Sequence, residues 1–234
     1  MSRPAFAVEV ITLLPQLWPP LLAAGAGLVG RAFAAGQAQL TVHDLRQHGV
    51  GPHRQVDDAP FGGGPGMVLQ VPPLHRAIDA ARARTPGPVL LLSPRGPRLD
   101  QARVRTLAAG PGMVLVCGRF EGVDERVHPY VDGLLSVGDF VLTGGDPAAF
   151  CLIDAVVRLL PSVVGNPASL QDESFSQNLL EYPQYTRPSI YAGAEVPPVL
   201  RGGNHAAIAA WRQAQARALT TRLRPDLLAV KALG

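Results

Sequence analysis

Cysteine is scarce in this chain: Cys117 and Cys151 are the only two among 234 residues. Neither belongs to a C-x-x-C pair or a Cys/His cluster, so no disulfide framework or structural zinc is indicated, and a reducing, cytoplasmic setting fits. His43, His48, His53 and His75 show no ligand spacing either, and no metal site is expected. Lysine is scarcer still, since of 21 cationic residues only Lys231 is one. Arginine forks suit phosphates and carboxylates, but a GC-rich genome produces the same bias. Composition therefore permits a nucleic-acid partner without establishing one. Charge is missing altogether between Glu9 and Arg31, a span long enough to cross a bilayer. Pro15, Pro19, Pro20 and several glycines interrupt it, and Glu9 stands where a signal peptide carries positive charge. A strand followed by a helix is the better reading, with no membrane partner.

Also missing is the phosphate-binding lysine. In "LLSVGDFVLTGGDPAAF", residues 134–150, an apolar run enters a glycine loop, yet Asp146, Pro147 and Ala148 follow Gly145 where a P-loop has Lys and Ser/Thr. The dinucleotide-binding G-x-G-x-x-G is read as absent, which points away from an ordinary Rossmann methyltransferase. The loop is a poor anion site and suits a less negative ligand.

What is present is globular. Charged residues make up 17% and apolar residues 47%, a balance that buries a core rather than staying disordered. "FAVEVITLLP" and "TVHDLRQHG" read as strands, and "PPLHRAIDAARA" as a helix with Leu74, Ile78 and Ala81 on one face. Between them, residues 49–67 form a long loop rich in Gly, Pro, Asp and Arg, a length usually reserved for function. Three short apolar runs follow, "PVLLLSPRG", "MVLVCGRFEG" and "LLSVGDFVLTGG", each ending in a loop. With helices expected around 99–108 and 148–160, they predict an α/β fold on a mostly parallel sheet. Ligands of such sheets bind beyond the carboxyl ends of the strands, where these three loops would meet. Past Pro161 periodicity is lost. A small helical C-terminal domain then carries a helix capped by Asn204, with Ile208 and Trp211 at helical spacing, before Pro225 interrupts. From Arg201 onward six cationic residues face one acid, Asp226; a polyanion partner and an ordinary solvated helix are equally compatible with that.

These segments, taken in order, resemble a family. "ITLLPQLW", "VDDAPFGGGPGM", "LLSPRG", "VCGRFEGVDERV", "SVGDFVLTGGD", "ESFSQNLLEYPQYTRP" and "EVPPVLRGGNHAAIAAWR" are similar to the bacterial tRNA (guanine-N1)-methyltransferases that modify guanosine 37, adjacent to the anticodon. These are SPOUT enzymes, and the resemblance spans nearly the whole chain. It implies a deep trefoil knot over about residues 88–150, an exception to the rule against threaded chains. It further implies three parts: a methyltransferase domain at 1–163, a linker or lid at 164–176, and a tRNA-binding helical domain at 177–234.

The implied methyl donor is S-adenosyl-L-methionine, a sulfonium compound without phosphate. The resemblance assigns to its pocket Leu92, Ser93 and Pro94; Gly118, Glu121 and Gly122; and Val137, Gly138, Asp139, Phe140, Val141, Leu142, Gly144 and Gly145. Asp139 would alternatively orient the substrate guanine, or simply cap nearby N–H groups. Methylation at N1 requires loss of the N1 proton, and the charge then spreads onto O6, where a cation stabilises the transition state. The family pattern places the base at Glu173 and the cation at Arg158, with Asp172 as the alternative base. Without the resemblance, Asp154 and Arg158 read as an i,i+4 ion pair contributing about 0.2–0.5 kcal/mol. The early Pro147 departs from the family pattern and puts the entry of the following helix in question. The resemblance also implies a homodimer whose active site is shared between subunits and which binds the anticodon stem-loop of tRNA.

Overall fold

The computed structural model describes residues 5–21, 25, 27–170 and 172–229; Lys231 and the last residues of the expected tail domain lie outside these. The chain divides into two compact units, Met1–Gly165 and Asn166–Gly234.

In chain order the first unit holds strands β1 (Phe6–Thr12), β2 (Ala38–Asp44), β3 (Asp57–Asp58), β4 (Val68–Leu69), β5 (Val89–Leu92), β6 (Gly112–Cys117) and β7 (Gly133–Leu135). Its helices are α1 (Trp18–Leu21), α2 (Gly27–Ala34), α3 (Val71–Arg82), α4 (Gln101–Ala109) and α5 (Asp146–Val157). The central sheet runs β2-β1-β6-β5-β7, and every pairing in it is parallel. β3 and β4 form a separate antiparallel pair inside and just after the long loop.

The apolar runs become strands because both of their faces are covered. Leu90 and Leu92 of β5, and Met113, Leu115 and Cys117 of β6, pack with residues of α2, α4 and α5. Their neighbours Val89, Leu91, Val114 and Val116 pack with α3 on the opposite side. Period-two alternation thus separates two cores with one run of sequence. Each fully buried Leu or Met contributes about 1.5–3 kcal/mol, so Leu115→Ala would cost about 2–5 kcal/mol. α3 buries Leu74, Ala77, Ile78 and Ala81, the stripe its spacing predicts. A carboxylate also enters this interior: Glu9 is buried on β1 and is held by His43 Nε2 at 2.7 Å and by Arg84 at 3.3 Å.

Helix ends follow their local chemistry. Asp100 caps α4 by accepting from the Arg103 N–H at 2.7 Å, which satisfies one of the orphan donors of the first turn. Pro147 lies in the first turn of α5, where its missing N–H costs nothing. The early proline therefore starts the helix at Asp146 rather than disturbing it. The third apolar run forms a strand only over Gly133–Leu135. Beyond it Ser136 turns the chain, its hydroxyl donating to Gly138 O at 2.8 Å, while its backbone pairs with Pro97 and Leu99. Gly25, Gly27 and Gly30 do spell G-x-G-x-x-G, but they lie well past the end of β1, at the entry to α2, and none of them lines the cavity described below.

The second unit contains the hairpin β8 (Ile190–Tyr191) and β9 (Ala194–Glu195), followed by α6 (Pro198–Arg201), α7 (His205–Leu223) and α8 (Asp226–Ala229). Asn204 caps α7 through the Ala207 N–H at 3.1 Å. Ile208 and Trp211 are only half-buried on it; the buried positions are Ala216 and Thr220. The Thr220 hydroxyl donates to Ala216 O at 2.7 Å and accepts from the Leu180 N–H at 2.8 Å, tying the irregular segment after residue 176 to the helix. Among the described residues no helix is long and apolar enough to cross a membrane.

Candidate active site

β5, β6 and β7 are neighbours and parallel, so their carboxyl ends deliver three loops to one edge of the sheet. The chain leaves β5 to form β6 on one side and then β7 on the other. Such a reversal opens a crevice above the strand ends. A cavity of about 310 Å³ fills it, lined by residues from 91–95, 118–123, 134–138 and 140–145, with His128 and Ala148. Its size is at the lower end of small-molecule sites.

Backbone bonds hold the walls together. Ser93 N–H donates to Leu135 O at 3.0 Å and Gly145 N–H to Gly118 O at 2.9 Å. The long loop also leans on this cavity: Glu121 N–H donates to Met67 O at 3.0 Å and Leu69 N–H to Gly122 O at 3.0 Å. A Cβ at Gly145 would fall 2.7 Å from the Cys117 Cα, so only glycine allows the third loop to approach the second. Gly122 takes a φ of +130°, a region closed to other residues.

The walls carry two arginines, and both are engaged with carboxylates. Arg95 makes a two-pronged pair with Glu125 at 2.9 and 3.0 Å. That pairing, first as a hydrogen bond and then as a charge, holds the Glu125 carboxyl below its usual range. Arg119 donates to Asp146 at 3.2 Å. Burial pushes the Cys117 thiol at the end of β6 well above the ordinary thiol range, with the Asp146 charge adding to the effect. The rim is apolar: Phe120, Phe140 and Val141 are exposed around the cavity. Phe61, 99% exposed, stands on the loop that leads to Met67. Phe120 also holds a φ of +61°, a strained conformation for an aromatic residue and typical of a site.

Of the residues singled out from the sequence, Leu92, Ser93, Pro94, Gly118, Glu121, Gly122, Val137, Gly138, Phe140, Val141, Leu142, Gly144 and Gly145 all line this cavity. Asp139 does not: its carboxylate is turned to solvent and pairs with Arg98 at 3.3 Å. Arg158 closes the far end of α5, half-buried, its N–H donating to Asp154 O at 3.2 Å. Twelve helical residues separate it from Gly145, about 18 Å at 1.5 Å per residue. Glu173 and Asp172 belong to the second unit, where they line a depression with Tyr182, His205 and Arg212. Sequence reasoning missed Arg95, Arg119 and His128 as wall residues. Arg119 sits inside the "GRFEG" stretch already quoted, and its glycine neighbours were the available signal.

The family described as "tRNA (Guanine-1)-methyltransferase TrmD" matches residues 6–230. A protein of Nitrobacter winogradskyi called tRNA (guanine-N(1)-)-methyltransferase is 54% identical over 225 residues, covering 95% of this chain and 93% of its own. Relatives of the same name from Gluconobacter oxydans and Myxococcus xanthus are 50% identical over 224 residues and 52% identical over 228. They cover 95% and 97% of this chain, and 95% and 92% of themselves. With a match over nearly its whole length and a glycine-lined crevice at the strand ends, the chain belongs to the tRNA (guanine-1)-methyltransferase family.

Proposed function

We propose that the protein transfers a methyl group from S-adenosyl-L-methionine to N1 of guanosine 37 in tRNA, acting as a cytoplasmic homodimer with an active site shared between subunits. The observation that carries the donor assignment is the charge state of the cavity wall. Both wall arginines are engaged with carboxylates, and Glu121 adds a further carboxylate. A phosphate finds no lysine there, whereas a cationic nucleoside meets apolar surfaces on Leu92, Val137 and Leu142. Ser93, Gly118, Gly144 and Gly145 bring backbone close enough to bond an adenine edge and a ribose. When bound, the donor supplies an electrophilic methyl on its sulfonium sulfur.

The protein's own part is to present N1 with its lone pair free. In the neutral base that nitrogen carries a proton, so a carboxylate must accept it as methyl transfer proceeds. We assign this to Glu173, with Asp172 beside it as the alternative, and Arg158 to the negative charge that develops on O6. Glu173 would act at the cavity of the other subunit in the dimer. The trefoil knot over about residues 88–150 belongs to the same reading. It is supported by the chain after β7 pairing first with 97–99 and then, at Gly145, with Gly118.

For tRNA, we assign 164–176 as a lid, 177–234 as the RNA-binding domain, and residues 1–163 as the methyltransferase domain. The second unit presents a groove lined by Tyr182, Tyr185 and Trp211 with Arg187, Arg201 and Arg212. Rings and guanidinium planes together suit splayed bases and backbone phosphates of an anticodon stem-loop. The test is incubation with labelled donor and two transcripts differing only at position 37. Label in the guanosine transcript alone supports the reading; equal label in both, or none, overturns it.

A further inference from the structure

Asp146 is a buried carboxylate, 4% exposed, at the first residue of α5. One oxygen accepts from the Thr12 hydroxyl at 2.5 Å and from the Trp18 indole N–H at 3.2 Å. The other accepts from Arg119 at 3.2 Å. Thr12 ends β1 and Trp18 begins α1, so one carboxylate ties together the end of a strand, the helix after it, the loop after β6 and the start of α5. Buried ionised groups persist only where they are bonded this fully.

Arg119 extends the connection across the cavity wall. A second guanidinium nitrogen donates to Thr143 O at 3.4 Å. A Cβ at Gly144 would fall 2.6 Å from Arg119 Nε and 2.8 Å from its Cζ. The guanidinium therefore lies against Gly144, and its Nε is buried without a partner. The loop after β6 and the loop after β7 both bound the cavity, and this arginine spans them with Asp146 as its anchor.

We infer that Arg119 and Asp146 are positioning residues that set the spacing of the two loops, acting on donor affinity and not on the transfer step or on RNA binding. This rests on reading the cavity as the S-adenosyl-L-methionine site. Arg119→Gln removes the charge while leaving Asp146 its bonds to Thr12 and Trp18. Asp146→Asn keeps the acceptor for those two groups and turns an amide donor toward the arginine.

Calorimetric titration of the full-length protein with S-adenosyl-L-methionine reads the effect, with steady-state kinetics beside it. Each substitution raises the donor dissociation constant about tenfold or more, since Arg119 stands in the cavity wall and Asp146 holds it from behind. KM for tRNA, and kcat at saturating donor, stay within about twofold, since the groups removed act only on the donor. The double variant is no weaker than the worse single variant, because both break one connection. Arg119→Lys, which restores the charge without the planar fork, recovers part of the affinity. Unchanged donor affinity in both variants, additive losses, or a parallel rise in KM for tRNA would overturn the inference. Should Asp146→Asn fail to fold, Arg119→Gln decides alone. Wild-type protein that does not bind the donor would defeat the donor reading itself, a result separable from normal wild-type binding that the variants share.

Discussion

Substituting Gly145 by alanine adds one methyl group where the cavity walls meet. Its backbone, with φ −76° and ψ −16°, suits alanine, so the perturbation is packing alone. The new Cβ falls 2.7 Å from the Cys117 Cα and 2.9 Å from the Gly118 nitrogen. Ordinary carbon contacts begin at about 3.5 Å, so the two loops must separate by roughly 0.8 Å. That exceeds the ~0.5 Å within which a site keeps its geometry. It also stretches the 2.9 Å bond from Gly145 N–H to Gly118 O beyond hydrogen-bonding range. Overpacking costs about 1–3 kcal/mol and the lost bond about 1 kcal/mol. If half of this is felt at the donor site, affinity falls about 5- to 30-fold at 1.4 kcal/mol per decade. Calorimetric titration with S-adenosyl-L-methionine measures it, with Gly133→Ala as the control because a Cβ there meets nothing within 4 Å. Gly145→Ala binding the donor as tightly as Gly133→Ala would refute the argument that loop approach shapes the site.

Further outcomes follow from other residues. Glu173→Ala reduces single-turnover methyl transfer by about 10²–10⁴ while leaving donor affinity intact; if Asp172→Ala does so instead, the base is Asp172. In native protein a thiol reagent at pH 8 modifies Cys151, which is exposed, and spares buried Cys117, whereas denatured protein gives two equivalents. Because burial raises the folded Cys117 pKa, its contribution to stability is full below about pH 8.5, the unfolded value. It is lost as the pH rises through the folded value, and Cys117→Ala removes that part of the alkaline dependence measured by denaturant titration. Asn204→Ala removes the cap of α7 and destabilises the second unit by about 1 kcal/mol, visible as a lower denaturant midpoint for Trp211 fluorescence.

Much of this architecture is written in local patterns, because a strand covered on both faces must be apolar throughout and a helix on one face must be apolar every third or fourth residue. β5, β6 and α3 are legible for that reason, as is the Asn204 cap. Other features depend on residues far apart in sequence. β7 stops after three residues because Ser136 finds partners at Pro97 and Leu99, which no periodicity announces. Glu9 is buried with His43 and Arg84 around it, partners that no local pattern announces. The resemblance to a family assigned loop residues after the apolar runs to one pocket, and the structure gathers all of those except Asp139 around the cavity. Arg119 escaped notice because its role arises from a carboxylate 27 positions away and a glycine whose missing side chain makes room.

The most direct measurement is nucleoside analysis of a tRNA transcript bearing guanosine 37 after reaction with isotopically labelled S-adenosyl-L-methionine. The account predicts the label in 1-methylguanosine and nowhere else. Label in another nucleoside, on a ribose hydroxyl, or on a different guanine atom would contradict it.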